Sequence, residues 1–122
     1  MPKRILIVDD ERDVAMLLQH QLEQHGYAIE KIYSGSEALT RIFQGGFDLV
    51  LMDYGMKDIK GDRISLLMRA DEKLRTLPII IITAHVEVGE RELKEYGANI
   101  VLYKPVERED LLAAVKKCLK EA

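Results

Sequence analysis

The chain has 122 residues, 48% of them hydrophobic and 32% charged, a composition typical of a folded domain that buries its own core. Its single cysteine, Cys118, excludes an internal disulfide, and its net charge of -3 lacks the basic excess of a nucleic-acid-binding protein. The short apolar run near the N-terminus is too short for a signal peptide or a membrane span, so we expect one cytoplasmic domain over residues 1–122.

The first third of the chain predicts a strand, a helix and a second strand. Residues 5–8 predict a buried strand, which ends at the acidic pair Asp9 and Asp10. Apolar residues at helical spacing then predict a helix that ends at Gly26, a residue suited to the left-handed cap. Residues 27–33 predict a second strand, whose charged members are typical of a sheet edge.

A second helix and a central strand follow. Ser36 is the predicted N-cap of the helix, because its hydroxyl can accept a hydrogen bond from a backbone amide. The apolar run 49–52 predicts a strand that is buried on both faces, as in a parallel sheet. This strand ends at Asp53, and a carboxylate there points into the crevice where open α/β sheets bind ligands.

The third helix and the fourth strand repeat this alternation. The helix follows Gly61, and the four isoleucines 79–82 predict a strand that ends at Thr83. We expect the fourth helix, within residues 86–96, to be the least stable, because it is weakly amphipathic and contains a glycine.

The last strand, residues 100–103, ends at Lys104, and a final helix covers residues 107–121. Five strands thus alternate with five helices over short connections. This alternation predicts an α/β fold with a five-stranded, doubly wound parallel sheet and helices on both faces. We expect the flavodoxin-like strand order 2-1-3-4-5.

In this order the carboxyl ends of four strands are neighbours; the first delivers two polar side chains and the others deliver one each. These side chains are Asp9, Asp10, Asp53, Thr83 and Lys104. Taken singly, each has an ordinary structural explanation, since Asp10 and Thr83 could cap helices and Lys104 could be a solvated lysine. Their arrival at one edge of the sheet predicts a functional site.

The chemistry of this cluster favours phosphoryl transfer. Charged carboxylates repel one another, and a hard divalent cation such as Mg²⁺ relieves the repulsion while keeping positions for a phosphate oxygen. Asp10 and Asp53 could hold the cation, while Lys104 and Thr83 could bind phosphoryl oxygens. Asp53 would then be the nucleophile and would carry the group as an aspartyl-phosphate.

Over its whole length the chain resembles a receiver domain of the bacterial two-component response regulators. The resemblance rests on the five side chains above, with Gly97-Ala98 before the lysine and Pro105 after it. It implies that Asp53 accepts a phosphoryl group from a phosphohistidine of a sensor histidine kinase or a histidine phosphotransfer protein, with Mg²⁺ as the cofactor. The chain would be a signalling domain without a turnover substrate.

The resemblance also implies individual roles. The Mg²⁺ ligands would be Asp10 and Asp53 directly, Asp9 through water, and Gly55 through its backbone carbonyl. Thr83 and Lys104 would hold the phosphoryl group, and the Lys104-Pro105 peptide bond would be cis. The family implies readout on the face made by the fourth helix, the fifth strand and the fifth helix. A homodimer through the last helix stays open.

Two stretches depart from the family pattern. In the loop after Asp53, lysines stand at positions 57 and 60, where a proline and an acid are usual, which predicts a more flexible and more basic loop. Val101 stands where the family carries the aromatic residue that reports phosphorylation. Tyr103 lies on the same strand face, but its position does not assign it that role. The sequence therefore leaves the output mechanism open.

Two residues flank the site at positions where the family tunes the lifetime of the phosphoryl group. Gly55 leaves access for water, and His85 could orient that water or donate to the phosphoryl group when protonated. The alternative for His85 is a solvated loop histidine.

Three other functions compete with this interpretation. A phosphatase of the haloacid-dehalogenase type has a second Asp two positions after its nucleophile, where this chain has Gly55. A flavodoxin-like cofactor carrier needs Gly, Ser or Thr after the first strand instead of Asp9 and Asp10. A receiver-shaped interaction module that is never phosphorylated is supported by the missing aromatic residue. The sequence identifies neither the kinase nor the signal, and it does not say whether an output domain exists.

Overall fold

The computed structural model describes residues 1–121, in which strands and helices alternate. The strands are β1 (Arg4–Val8), β2 (Ala28–Ile32), β3 (Leu49–Asp53), β4 (Ile79–Thr83) and β5 (Ile100–Tyr103). The helices are α1 (Arg12–Glu23), α2 (Gly35–Gln44), α3 (Gly61–Ala70), α4 (Glu90–Glu95) and α5 (Arg108–Leu119). The strands pair in parallel in the order β2-β1-β3-β4-β5. The predicted fold class and strand order are confirmed.

Helices cover both faces of the sheet, and the central strands are buried for that reason. β3 and β4 are buried along their whole length, and β1 is buried after its first residue. Successive strand residues point to opposite faces, so they feed one core beneath α2, α3 and α4 and another beneath α1 and α5. β2 is half-buried, as expected of an edge strand.

The predicted start of α2 is wrong, and α4 occupies only part of its predicted segment. α2 is capped by Ser34 instead of Ser36, because the backbone of Ser34 is extended and its hydroxyl accepts a hydrogen bond from the Glu37 amide. α4 begins at Glu90, since Gly89 is its N-cap and residues 86–88 lie in the preceding loop. The fourth helix is therefore only six residues long.

Within residues 1–121, none of the helices has the length and apolar character needed to cross a membrane. Ala122, the last residue of the predicted domain, lies outside the described residues.

Candidate functional site

The carboxyl ends of β1 and β3 bring three carboxylates together. Asp9 and Asp10 follow β1, and Asp53 ends β3, which pairs with β1. One carboxylate oxygen from each residue lies within 4.8 Å of the other two. Asp9 and Asp53 are buried, whereas Asp10 is partly exposed. Solvent therefore reaches the cluster at Asp10.

Lys104 supplies the positive charge at this edge of the sheet. Its Nζ lies 3.2 Å from Asp53 Oδ1 and 3.5 Å from Asp9 Oδ2. The exposed Glu11 is a third contact, with its Oε1 3.7 Å from the same Nζ. The sequence pattern did not predict Glu11, and its one signal was its place directly after the acidic pair.

The pKa values of Asp9 and Lys104 reflect this crowding. Burial raises the pKa of Asp9 above its usual value. The Glu11 amide, which donates to Asp9 Oδ1 at 2.9 Å, acts to lower this pKa, and the charge of Asp53 acts to raise it. Burial acts to lower the pKa of Lys104, but attraction to Asp53 and Asp9 outweighs it and raises the pKa overall. Three clustered aspartates with one lysine among their neighbours make an environment that favours a further cation.

Thr83 ends β4 and is fully buried. Its Oγ1 accepts a hydrogen bond from the His85 amide at 2.8 Å, so its own O–H can be donated to another group. The N-caps of α4 and α1 are Gly89 and Glu11. Neither Thr83 nor Asp10 caps a helix, and this ordinary explanation of the two residues is therefore wrong.

His85 lies over Gly55 beside the carboxylate of Asp53. Its Nδ1 is 2.9 Å from Glu87 Oε1, and its ring meets the Tyr54 ring edge-on with the centroids 5.6 Å apart. A Cβ added to Gly55 would lie 2.8 Å from His85 Nε2 and 3.7 Å from Asp53 Oδ2. The missing side chain of Gly55 therefore makes room for the imidazole next to the site.

Asp58 ties the loop after Asp53 to α2. Its carboxylate accepts hydrogen bonds from the amides of Ser36 and Gly35, each at 2.9 Å, and these bonds lower its pKa to about 2. The two amides belong to the first turn of α2, where amides have no acceptor inside the helix. Asp58 is thus a second cap for α2, and it holds the middle of a loop that the lysines predict to be flexible.

β5 carries Val101, which stands at the family's aromatic position, and Tyr103 two residues later. Val101 is buried, and Tyr103 packs against the same core, so the two share one face of the strand as predicted. The Tyr103 hydroxyl donates a hydrogen bond to the backbone carbonyl of Val88 at 3.2 Å. The Lys104-Pro105 peptide bond is cis, as the resemblance implied.

A family model described as the response regulator receiver domain matches residues 5–116. This chain belongs to that family. Response regulator ArlR of Staphylococcus saprophyticus is 33% identical to it over 118 residues, which cover 96% of this chain and 52% of ArlR. The receiver domain spans about half the length of the curated relatives it matches.

Solved structures share the fold of this receiver domain. The chemotaxis response regulator CheY4 of Vibrio cholerae has a TM-score of 0.89 and 27% identity, covering 98% of this chain and 100% of that one. The response regulator TrrA of Thermotoga maritima, in complex with Mg²⁺-BeF, has a TM-score of 0.87 and 34% identity, covering 96% and 99%. The chain is therefore a receiver domain of two-component signalling.

Proposed function

We propose that Asp53 is the residue of this receiver domain that is phosphorylated, and that its phosphoryl donor is a phosphohistidine of a histidine kinase or a phosphotransfer protein. One observation carries the proposal: the buried Asp53 carboxylate lies 3.2 Å from Lys104 Nζ, beside two further acids at the carboxyl edge of the sheet. Thr83, at the end of the neighbouring strand, adds a hydroxyl. This set combines a nucleophile with groups that bind a phosphoryl oxygen.

In the reaction, a carboxylate oxygen of Asp53 attacks the phosphorus atom. The new P–O bond forms as the P–N bond to the donor histidine breaks, and the electron pair of that bond returns to the imidazole. Lys104 neutralises charge on one phosphoryl oxygen, and the Thr83 hydroxyl donates to another. Phosphoryl transfer depends mainly on positioning and charge neutralisation, which these side chains supply.

The donor set also fits Mg²⁺. Three carboxylates offer hard oxygen ligands, and the partly exposed Asp10 leaves space for the waters that this ion retains. A bound Mg²⁺ would neutralise carboxylate and phosphoryl charge. The residues that would hold it are Asp10 and Asp53 directly, Asp9 through water, and the Gly55 carbonyl. The complex of the similar protein TrrA with Mg²⁺-BeF supports a magnesium site in this domain.

Thermal unfolding tests the metal site without any phosphodonor. Mg²⁺ binds the folded state, so it should raise the melting temperature of the wild-type protein relative to EDTA. Asp10→Asn should abolish the increase. Asp110→Asn, which changes an exposed acid in the first turn of α5, should keep it. A melting temperature that Mg²⁺ does not change would contradict the assignment.

Intact-mass measurement tests phosphorylation. Incubation with Mg²⁺ and a small phosphodonor should add one phosphoryl group that is stable in acid and lost in base. Asp53→Asn should remain unlabelled, while Asp110→Asn should label like the wild-type protein. Failure of the wild-type protein to label, or undiminished labelling of Asp53→Asn, would end the proposal.

We also propose that residues 1–122 form one receiver domain that works in the cytoplasm as a phosphoacceptor without a turnover substrate.

Light scattering of the phosphorylated and unphosphorylated forms would test a homodimer through the α5 region. A mass that stays monomeric in both forms would exclude that dimer.

A further inference from the structure

We propose that Tyr103 couples phosphorylation of Asp53 to the loop before α4, residues 84–89, an inference that rests on the proposed function of Asp53. Tyr103 lies opposite Thr83 in the register of β4 and β5, and it directly precedes the lysine of the site. Its hydroxyl donates a hydrogen bond to the Val88 carbonyl at 3.2 Å. One side chain therefore links the end of β5 to this loop.

The other end of the loop is fastened to the site through Thr83. Thr83 Oγ1 accepts a hydrogen bond from the His85 amide at 2.8 Å, and the Thr83 carbonyl accepts one from the Lys104 amide at 2.9 Å. A phosphoryl group on Asp53 draws the Thr83 hydroxyl toward its oxygens. The His85 amide follows, because it is bonded to the same oxygen atom. Movement of Thr83 therefore pulls on a loop whose far end Tyr103 holds.

α4 can respond to this pull at its N-terminal end. Its buried residue is Leu93, whereas each of the other helices buries three or four residues. Val88 precedes the N-cap, and the first backbone bond of the helix runs from the Leu93 amide to the Gly89 carbonyl. The C-terminal end is held more firmly, because Arg69 donates to the Gly97 carbonyl at 2.9 and 3.1 Å. α4 therefore pivots about Gly97 when the bond at Val88 breaks.

The side chains of β5 explain why Tyr103 takes this role. Val101, on the same face, is buried, and its side chain has no polar atom that could bond to the loop. Tyr103 stands at the end of the strand, is only partly buried, and reaches the loop with its hydroxyl. Its hydroxyl stabilises the loop of the unphosphorylated chain, and phosphorylation opposes that bond.

Binding of beryllofluoride with Mg²⁺, used as a mimic of the phosphoryl group, tests the coupling. A hydrogen bond of ordinary net strength favours the tethered loop about two- to twelve-fold, and the coupling is reciprocal. Tyr103→Phe should therefore bind beryllofluoride about two- to twelve-fold more tightly than the wild-type protein. Tyr96→Phe is the matched control, since its hydroxyl lies at the end of α4 and makes no hydrogen bond within residues 1–121. Unchanged or weaker binding by Tyr103→Phe overturns the inference.

Amide NMR spectra give a second measurement on the same proteins. In Tyr103→Phe without beryllofluoride, the amides of residues 85–91 should be shifted toward the positions that they take in the saturated wild-type protein. The shift should decline toward Gly97. Amides that keep their wild-type positions would overturn the coupling. A wild-type protein that does not bind beryllofluoride would instead overturn the proposed function of Asp53.

Discussion

Replacing Asp58 by alanine should destabilise the receiver domain by about 1–2 kcal/mol, because its carboxylate caps α2 from outside the helix. It accepts hydrogen bonds from the amides of Gly35 and Ser36, each at 2.9 Å. A hydrogen bond to a charged group contributes about 1.5–3 kcal/mol. Asp58 is exposed, so solvent screening reduces the sum of the two bonds to the range of a single cap. The melting temperature should fall by roughly 3–5 °C for each kcal/mol.

The contribution of Asp58 should also depend on pH in a fixed direction. The amides of Ser36 and Gly35 lower its pKa from 3.8 to about 2 in the folded chain. A pKa that is lower in the folded state means that the stabilisation is complete above the unfolded value. It is lost as the pH falls through the folded value. The difference between wild type and Asp58→Ala should therefore shrink as the pH falls from about 4 toward about 2.

Urea unfolding followed by circular dichroism measures both effects. Glu72→Gln is the control, because Glu72 is an exposed acid that accepts no hydrogen bond within residues 1–121. Equal unfolding free energies for Asp58→Ala and Glu72→Gln at neutral pH would refute the capping role. A loss of stability that does not shrink in acid would refute the role of the charge.

Three further changes test other contacts. Arg69→Lys should lower the free energy of unfolding in urea by about 2–4 kcal/mol. The guanidinium donates to four backbone carbonyls and Asn99 Oδ1, which an ammonium group cannot reach together. A loss equal to that of the control Arg63→Lys would contradict this prediction. Gly55→Ala should displace the imidazole of His85, so a double-mutant cycle with His85→Ala should show coupling of about 0.5–1 kcal/mol, and additive free energies would count against it. His85→Ala should change the lifetime of the aspartyl-phosphate between pH 6 and 8. An unchanged lifetime would exclude a role of His85 in setting it.

The strands were predictable from local sequence, and the meeting of the candidate site residues at one sheet edge was predictable from the expected strand order. Residues 79–82 are four isoleucines, and a strand with such a run suits a sheet that is covered on both faces. All four are buried in β4. Asp53, Thr83 and Lys104 each end or follow such a run, so the strand order alone brings them to one edge.

Contacts between distant segments were not predictable in this way. Asp58 and Arg69 look like surface charges, yet Asp58 caps a helix 22 residues earlier and Arg69 bonds to Gly97, 28 residues later. Asp58 also explains the wrong cap of α2, because its bond to the Ser36 amide places that residue inside the helix. Leu17 fits the apolar spacing of α1 but is 57% exposed, since periodicity does not say how far packing extends around a helix.

The claim that Asp53 is phosphorylated is tested most directly by locating the modification. Borohydride reduces an aspartyl-phosphate to homoserine, so reduction of the phosphorylated protein followed by peptide mass spectrometry marks the modified residue. We predict homoserine at position 53 after reaction with a small phosphodonor and Mg²⁺, and none when EDTA replaces Mg²⁺. Homoserine at Asp9 or Asp10 instead, or phosphorylated protein without homoserine at position 53, would contradict the assignment.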